Sequence, residues 1–195
     1  MKRILAIALA LLLCGAALAE ADLAFAGGVS WGMTRDEVLA AKRVREYEME
    51  PFGTAGAQVL DIDDDQRYQG AEYDLDYLLA GGSLVAAKCE FDAEDIAAST
   101  LAAALDAQYG ARGAGDTGAF CDLMSALAGM DYALKASARA GDFFYDWTAA
   151  DGTYAVLTNR LSDDGDDIDL FFFDAPSIGG GFSLSEPAPA LNPEG

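Results

Sequence analysis

Tyr73-Asp-Leu-Asp-Tyr77 is the segment that most narrows what this chain can become. Apolar and acidic residues alternate there with period two. An extended strand therefore puts three apolar groups on one face and two carboxylates on the other. Gly81-Gly82 follows, a pair suited to a tight reversal, and Leu84–Phe91 reads as the returning strand. A two-residue loop would set Tyr77 against Ala86, Leu75 against Lys88 and Tyr73 against Glu90. A three-residue loop, Gly81 to Ser83, sets them against Ala87, Cys89 and Phe91. Only the second register keeps one face apolar, so it is the one predicted, with Cys89 inward.

Around this hairpin the chain reads as further strands and three helices. Thr34 and Glu37 have the spacing of a capping box, with Met33 and Val38 as its hydrophobic staple, which predicts a short helix over 34–45. Trp31 is expected to pack under that helix. Gln58 to Ile62 reads as extended. Asp92 is expected to cap a helix running to Tyr109 and stopped by Gly110, with Ala97, Leu101, Ala104 and Leu105 inward. A second stripe, Met124, Leu127, Met130 and Leu134, predicts a core-facing helix over 119–139, although Gly129 lies inside it. Phe143–Trp147, a turn at Asp151-Gly152, Tyr154–Leu161 and Ile168–Asp174 read as closing strands. The expected fold is α+β: an antiparallel sheet of about six or seven strands with two or three helices on one face. Those helices are expected to cover Tyr73, Leu75, Tyr77, Tyr145 and Trp147.

The ends carry different information. Lys2 and Arg3, the apolar run Ile4–Leu13 and Ala17-Leu18-Ala19 have the form of a secretory signal peptide over 1–19, its apolar run too short to span a bilayer. A single domain is expected over 20–175, followed by a disordered tail over 176–195 rich in Gly and Pro. The protein is expected to be secreted or periplasmic, with no transmembrane segment in the mature chain. Lipid anchoring through Cys14 is the weaker alternative, because Leu13 is not the small residue a lipobox needs. Cys89 and Cys121 remain after processing; they form a disulfide or stay as buried thiols, and the domain's size favours thiols.

Charge and composition exclude several functions. The chain carries 12 basic and 33 acidic residues, a net charge of −21, and loss of Lys2 and Arg3 makes it more negative. Such a surface repels phosphate backbones, so no nucleic acid is expected as a partner. There is no histidine, which removes imidazole bases and the commonest transition-metal ligand. Gly113-Ala-Gly-Asp-Thr-Gly118 matches GxGxxG but follows a helical stretch and contains Asp116, so it reads as a loop and not a dinucleotide site. Asp61, Asp63, Asp65 and Glu72 stand at positions 1, 3, 5 and 12 of an EF-hand-like window, yet Gln66 replaces the turn glycine and the flanks read as strands. Along a strand those odd positions lie about 6.6 Å apart, too far for one small cation, so a strand and no calcium site are expected. The acidic turn at Asp163–Asp169 sets five acids around one Gly, which could hold Ca²⁺ weakly, and the sequence leaves that open. No catalytic, cofactor-binding or metal residue is assigned, and no cofactor is implied.

The opening Trp31-Gly-Met-Thr-Arg-Asp-Glu-Val38, followed by a short helix, an antiparallel run, a helix ending Tyr109-Gly110 and aromatic strands, resembles a loose set of uncharacterised bacterial secreted and lipoprotein domains. These open with WGM-[ST]-x-x-E-V and are similar to the α/β repeats of the β-lactamase-inhibitor-protein and SmpA/OmlA groups. The resemblance implies a small protein-binding module and carries over no functional residue. The helix expected over Phe120–Arg139 departs from that pattern. The expected function is thus a non-catalytic binding or interaction module, acting on another secreted or envelope protein through its sheet face or loops. The alternative is a carboxylate-dependent hydrolase acting on cell-wall or environmental glycans, which would need two acids across a cleft. The sequence leaves the oligomeric state open.

Overall fold

Two antiparallel meanders join edge to edge through strands that lie far apart in the chain. The computed structural model describes residues 23–113, 115, 117–134, 139–161 and 166–178. The first meander is β1 (Tyr47–Phe52), β2 (Ala57–Tyr68), β3 (Ala71–Ala80) and β4 (Ser83–Asp92). The second is β5 (Phe144–Thr148), β6 (Thr153–Thr158) and β7 (Asp167–Asp174). Pairing of β4 with β7, Cys89 opposite Leu170 and Ala87 opposite Phe172, fuses them into one seven-stranded sheet ordered β1-β2-β3-β4-β7-β6-β5. Helices α1 (Arg35–Lys42), α2 (Ala98–Tyr109), α3 (Thr117–Ala128) and the short α4 (Ala175–Ile178) complete the α+β fold. No helix among the described residues is long and apolar enough to cross a membrane.

The β3–β4 register is the predicted one: Tyr73 opposite Phe91, Leu75 opposite Cys89, Tyr77 opposite Ala87. The route to it differs. Ala80 pairs with Ser83 across a two-residue Gly81-Gly82 turn, and the register shifts between Leu78 and Leu79. Leu78 faces Ala86 and Leu79 faces Leu84, so Val85 is the extra residue of a bulge. The burial pattern explains why the slip is worth making: without it, Tyr73, Leu75 and Tyr77 would lie against Glu90, Lys88 and Ala86.

One face of the sheet buries Leu60, Leu75, Tyr77, Cys89, Leu170 and Phe172 under Val38 of α1 and Leu101 and Leu105 of α2. The other buries Val156, Phe171 and Phe173 under Phe120, Leu123 and Leu127 of α3. Two helices thus share the Tyr73–Leu75–Tyr77 face as expected, whereas the third takes the opposite face. The reason is local: Tyr154–Leu157 and Leu170–Phe173 are apolar at every position, and both sides of those central strands need a cover. Phe120 fills that role, its ring 5.2–5.9 Å from those of Phe171, Phe173, Phe144 and Tyr132.

Three further expectations are corrected. The helix predicted over 119–139 stops at Ala128, because Gly129 adopts φ +66° and its backbone lies against Ala55 of the β1–β2 turn. Met130 is consequently exposed. Asp92 ends β4 and accepts a hydrogen bond from the Glu94 N–H at 2.7 Å, so it caps a turn; α2 itself starts after Ala97. β1 was not among the predicted strands: its sequence YEMEPF is largely solvent-facing, and Pro51 suits an edge.

The Trp31–Val38 opening forms the expected helix start, with Glu37 accepting from the Thr34 N–H at 2.8 Å and Val38 fully buried. It is also a strap. Gly32 N–H donates to the Leu84 carbonyl at 2.9 Å, Leu84 N–H donates to the Met33 carbonyl at 2.8 Å, and Tyr73 and Tyr77 donate to the Leu23 and Ala24 carbonyls. Trp31 lies half-buried and donates Nε1–H to Thr153 Oγ1 at 3.0 Å. It thereby reaches the second meander, beyond the helix it was expected to underlie.

Candidate functional site

Period two places the polar side chains of β1–β4 on the face that α3 only partly covers. Directly opposed residues share a face, and the pairing gives a row Glu48, Asp61, Asp76, Lys88 across four strands. One step along the strands, Asp74 opposes Glu90, and Glu90 opposes Asp169 of β7. Five carboxylates thus line this face beside Lys88, and Glu90 together with the buried Asp169 reaches its ammonium. Glu48, Asp61 and Asp74 are exposed, while Asp76, Lys88 and Glu90 are half-buried.

Lys88 Nζ pairs with Asp169 Oδ1 at 3.2 Å and with Glu90 Oε2. Burial alone would lower the ammonium's pKa; the attraction of Asp169 and Glu90 overturns that and raises it. Asp169 is 2% exposed, and burial outweighs Lys88 to push its carboxyl up to about 6. Its Oδ2 is a buried oxygen with no hydrogen-bond partner. Asp76 is likewise pushed up to about 6, by burial first and then by repulsion from Asp61. The local electrostatics are unbalanced: each added proton or cation relieves repulsion.

Tyr132 lies near enough to interact with the charges of Asp169 and Lys88. Its backbone N–H donates to Ser125 Oγ at 2.8 Å, and its ring meets Phe120 edge-on at 5.9 Å. Burial raises its phenol pKa.

Comparison with family models, curated proteins and solved structures returns no match. Function must be argued from this chain's own residues.

The acidic segments singled out in the sequence fall apart in space. β2 runs through Asp61–Asp65, with a register shift between Ile62 and Gln66, and the 61–72 window is a strand, a turn at Gln69-Gly70 and a returning strand. Glu72 forms an ion pair with Arg67. The side chains of Asp63 and Asp65 lie outside the described residues, as do Asp163, the 1–19 signal with Cys14, and 179–195 of the tail. The GxGxxG loop serves the fold: Gly113 N–H donates to the Asp146 carbonyl at 2.8 Å and Gly115 N–H to Asp146 Oδ1 at 2.7 Å. A Cβ at Gly113 would lie 2.7 Å from that carboxylate. Cys89 and Cys121 are free thiols; Cys89 is buried in the core beneath α1 and α2, and Cys121 packs with the core beneath α3, on the opposite face.

Sequence reasoning placed Asp74 and Asp76 on the polar face of β3 but missed their meeting with Lys88 and Asp169. The signal was present in the hairpin register, which sets Asp76 opposite Lys88. Asp169 could not be found this way, because it arrives through pairing of two strands almost eighty positions apart.

Proposed function

We propose that this protein is a secreted or periplasmic, non-catalytic binding module that receives a cationic segment of another secreted or envelope protein on its acidic sheet face. The observation that carries this is the partly bare face of β1–β4, where four strands present carboxylates on one side and only Lys88 stands among them as a cation in the paired row. Neighbouring side chains on such a face project side by side, which suits an extended chain of Lys or Arg residues laid across the strands. The signal-like 1–19 segment and the resemblance to small protein-binding domains point the same way.

The glycan-hydrolase alternative would rest on Asp76, pushed up to about 6, as the acid, with Asp61 as the second carboxylate. These two are directly opposed cross-strand neighbours on a sheet face, not groups on two walls with a sugar between them. The geometry favours the binder.

The test is a titration of the protein, followed by amide NMR, with a Lys/Arg-rich peptide and with a Glu-rich peptide of equal length. The basic peptide is expected to shift amides of Asp61, Asp74, Asp76 and Glu90, and to weaken steeply with salt. Replacing Asp61 and Asp74 together by Asn should weaken it further. Equal binding of both peptides, or indifference to that double replacement, overturns the proposal.

A further inference from the structure

The geometry points to a second site on the other face: an aromatic cleft formed by Phe25, Trp31 and Tyr109 with Asp151 at its rim, which takes a small organic cation carrying an alkylated ammonium group. The cleft is open and measures about 250 Å³, a size for a small molecule and not for a peptide. Its walls come from the N-terminal strap, the last turn of α2 and the β5–β6 turn, three segments brought together only by the fold.

The rings are mounted on the core. Trp31 is fixed by its Nε1–H bond to Thr153 and by Phe25, which meets it edge-on at 4.7 Å. Phe25 and Tyr109 both rest on Phe172, at 5.5 and 6.4 Å, and Phe172 is almost fully buried. Trp31 and Tyr109 stay half-exposed at the cleft although the surrounding surface is polar. Rigid rings facing solvent present their electron-rich faces to whatever enters.

The charges around the cleft choose the ligand. Among the described residues no Lys or Arg lines it, and Asp151 supplies a carboxylate whose Oδ1 is held by the Thr153 N–H at 2.9 Å. A chain of net charge −21 also concentrates cations at its surface. An alkylated ammonium matches all three features: its apolar shell fits the rings, its charge interacts with their faces, and Asp151 balances it at the rim. A carboxylate or phosphate ligand would meet only repulsion.

Choline is the probe, and its uncharged carbon isostere, 3,3-dimethylbutan-1-ol, is the control. Titration is followed by NMR of the Trp31 indole N–H. Choline is expected to shift that signal saturably while the isostere does not. Asp151→Asn preserves an oxygen for the Thr153 N–H and should weaken choline about tenfold. Trp31→Phe removes both the indole reporter and the Thr153 bond, so its choline titration is followed by calorimetry; it should weaken choline by a similar factor while thermal unfolding stays cooperative, showing that the strap still docks. Replacing Asp61 and Asp74 by Asn should leave choline binding unchanged, which separates this site from the acidic face. Equal binding of the isostere, binding of a neutral sugar such as glucose in its place, or no saturable shift with choline overturns the inference.

Discussion

Lys88→Met removes the cation at the centre of the acidic face while keeping an unbranched stem of similar length. In the native protein Lys88 Nζ stands 3.2 Å from Asp169 Oδ1, and Asp169 Oδ2 has no partner. Without Lys88, a carboxylate that is 2% exposed keeps neither its counter-ion nor water. Breaking a buried pair in this way costs about 3–5 kcal/mol when the remaining group is charged. The loss must depend on pH. Asp169 is raised to about 6 in the folded protein against an ordinary 3.8, so folding takes up a proton between those values. Stability from this group is therefore lowest above pH 6 and increases as pH falls towards 3.8, by about 3 kcal/mol. In the variant nothing opposes the burial term, so the folded pKa rises further and the recovery on acidification is larger. Urea unfolding monitored by tryptophan fluorescence should show a loss of about 3–5 kcal/mol near pH 8, shrinking to about 1 kcal/mol near pH 4.5, with an unchanged slope. An equal loss at both pH values would show that Lys88 acts through packing of its stem, and would refute the electrostatic reading of the site.

Three other outcomes are expected. Thiol reagents should label half-buried Cys121 in the native protein but reach Cys89 only on unfolding, since burial pushes the Cys89 thiol up to about 12; equal labelling rates would contradict its burial in the core. Gly53→Ala should destabilise by about 2 kcal/mol or more, because Gly53 has φ +65° and a Cβ there runs into the Ala128 carbonyl at the end of α3; an unchanged melting temperature would show that the β1–β2 turn does not dock on that helix. Glu37→Ala should cost about 1 kcal/mol by removing the acceptor of the Thr34 N–H, while Glu37→Gln should recover most of it, as thermal unfolding would show.

The parts of this fold set by short-range chemistry were legible in the chain. Alternation in Tyr73–Tyr77 determined the β3–β4 register, because the other register would bury Lys88 and Glu90; Gly81-Gly82 marked only the reversal, and the bulge at Val85 that reconciles the two was not legible. Thr34 and Glu37 determined the start of α1, and Gly110 the end of α2. Gly129 was visible inside the Met/Leu stripe, but its power to end α3 came from Ala55 packing against its backbone, a contact across more than seventy positions. The side of the sheet that α3 covers was likewise decided by tertiary structure. β6 and β7 are apolar on both faces, so each side needs a cover, but which helix covers which side depends on packing over the whole sheet. The candidate site follows the same division. Sequence put Asp74 and Asp76 together on the face away from the core, since period two requires it. Joining β4 to β7 brought Asp169 to Lys88, and docking of the strap beside α2 and the β5–β6 turn built the aromatic cleft. Local alternation fixes which side of a strand a residue occupies, whereas its neighbours across the sheet depend on burial summed over the whole chain.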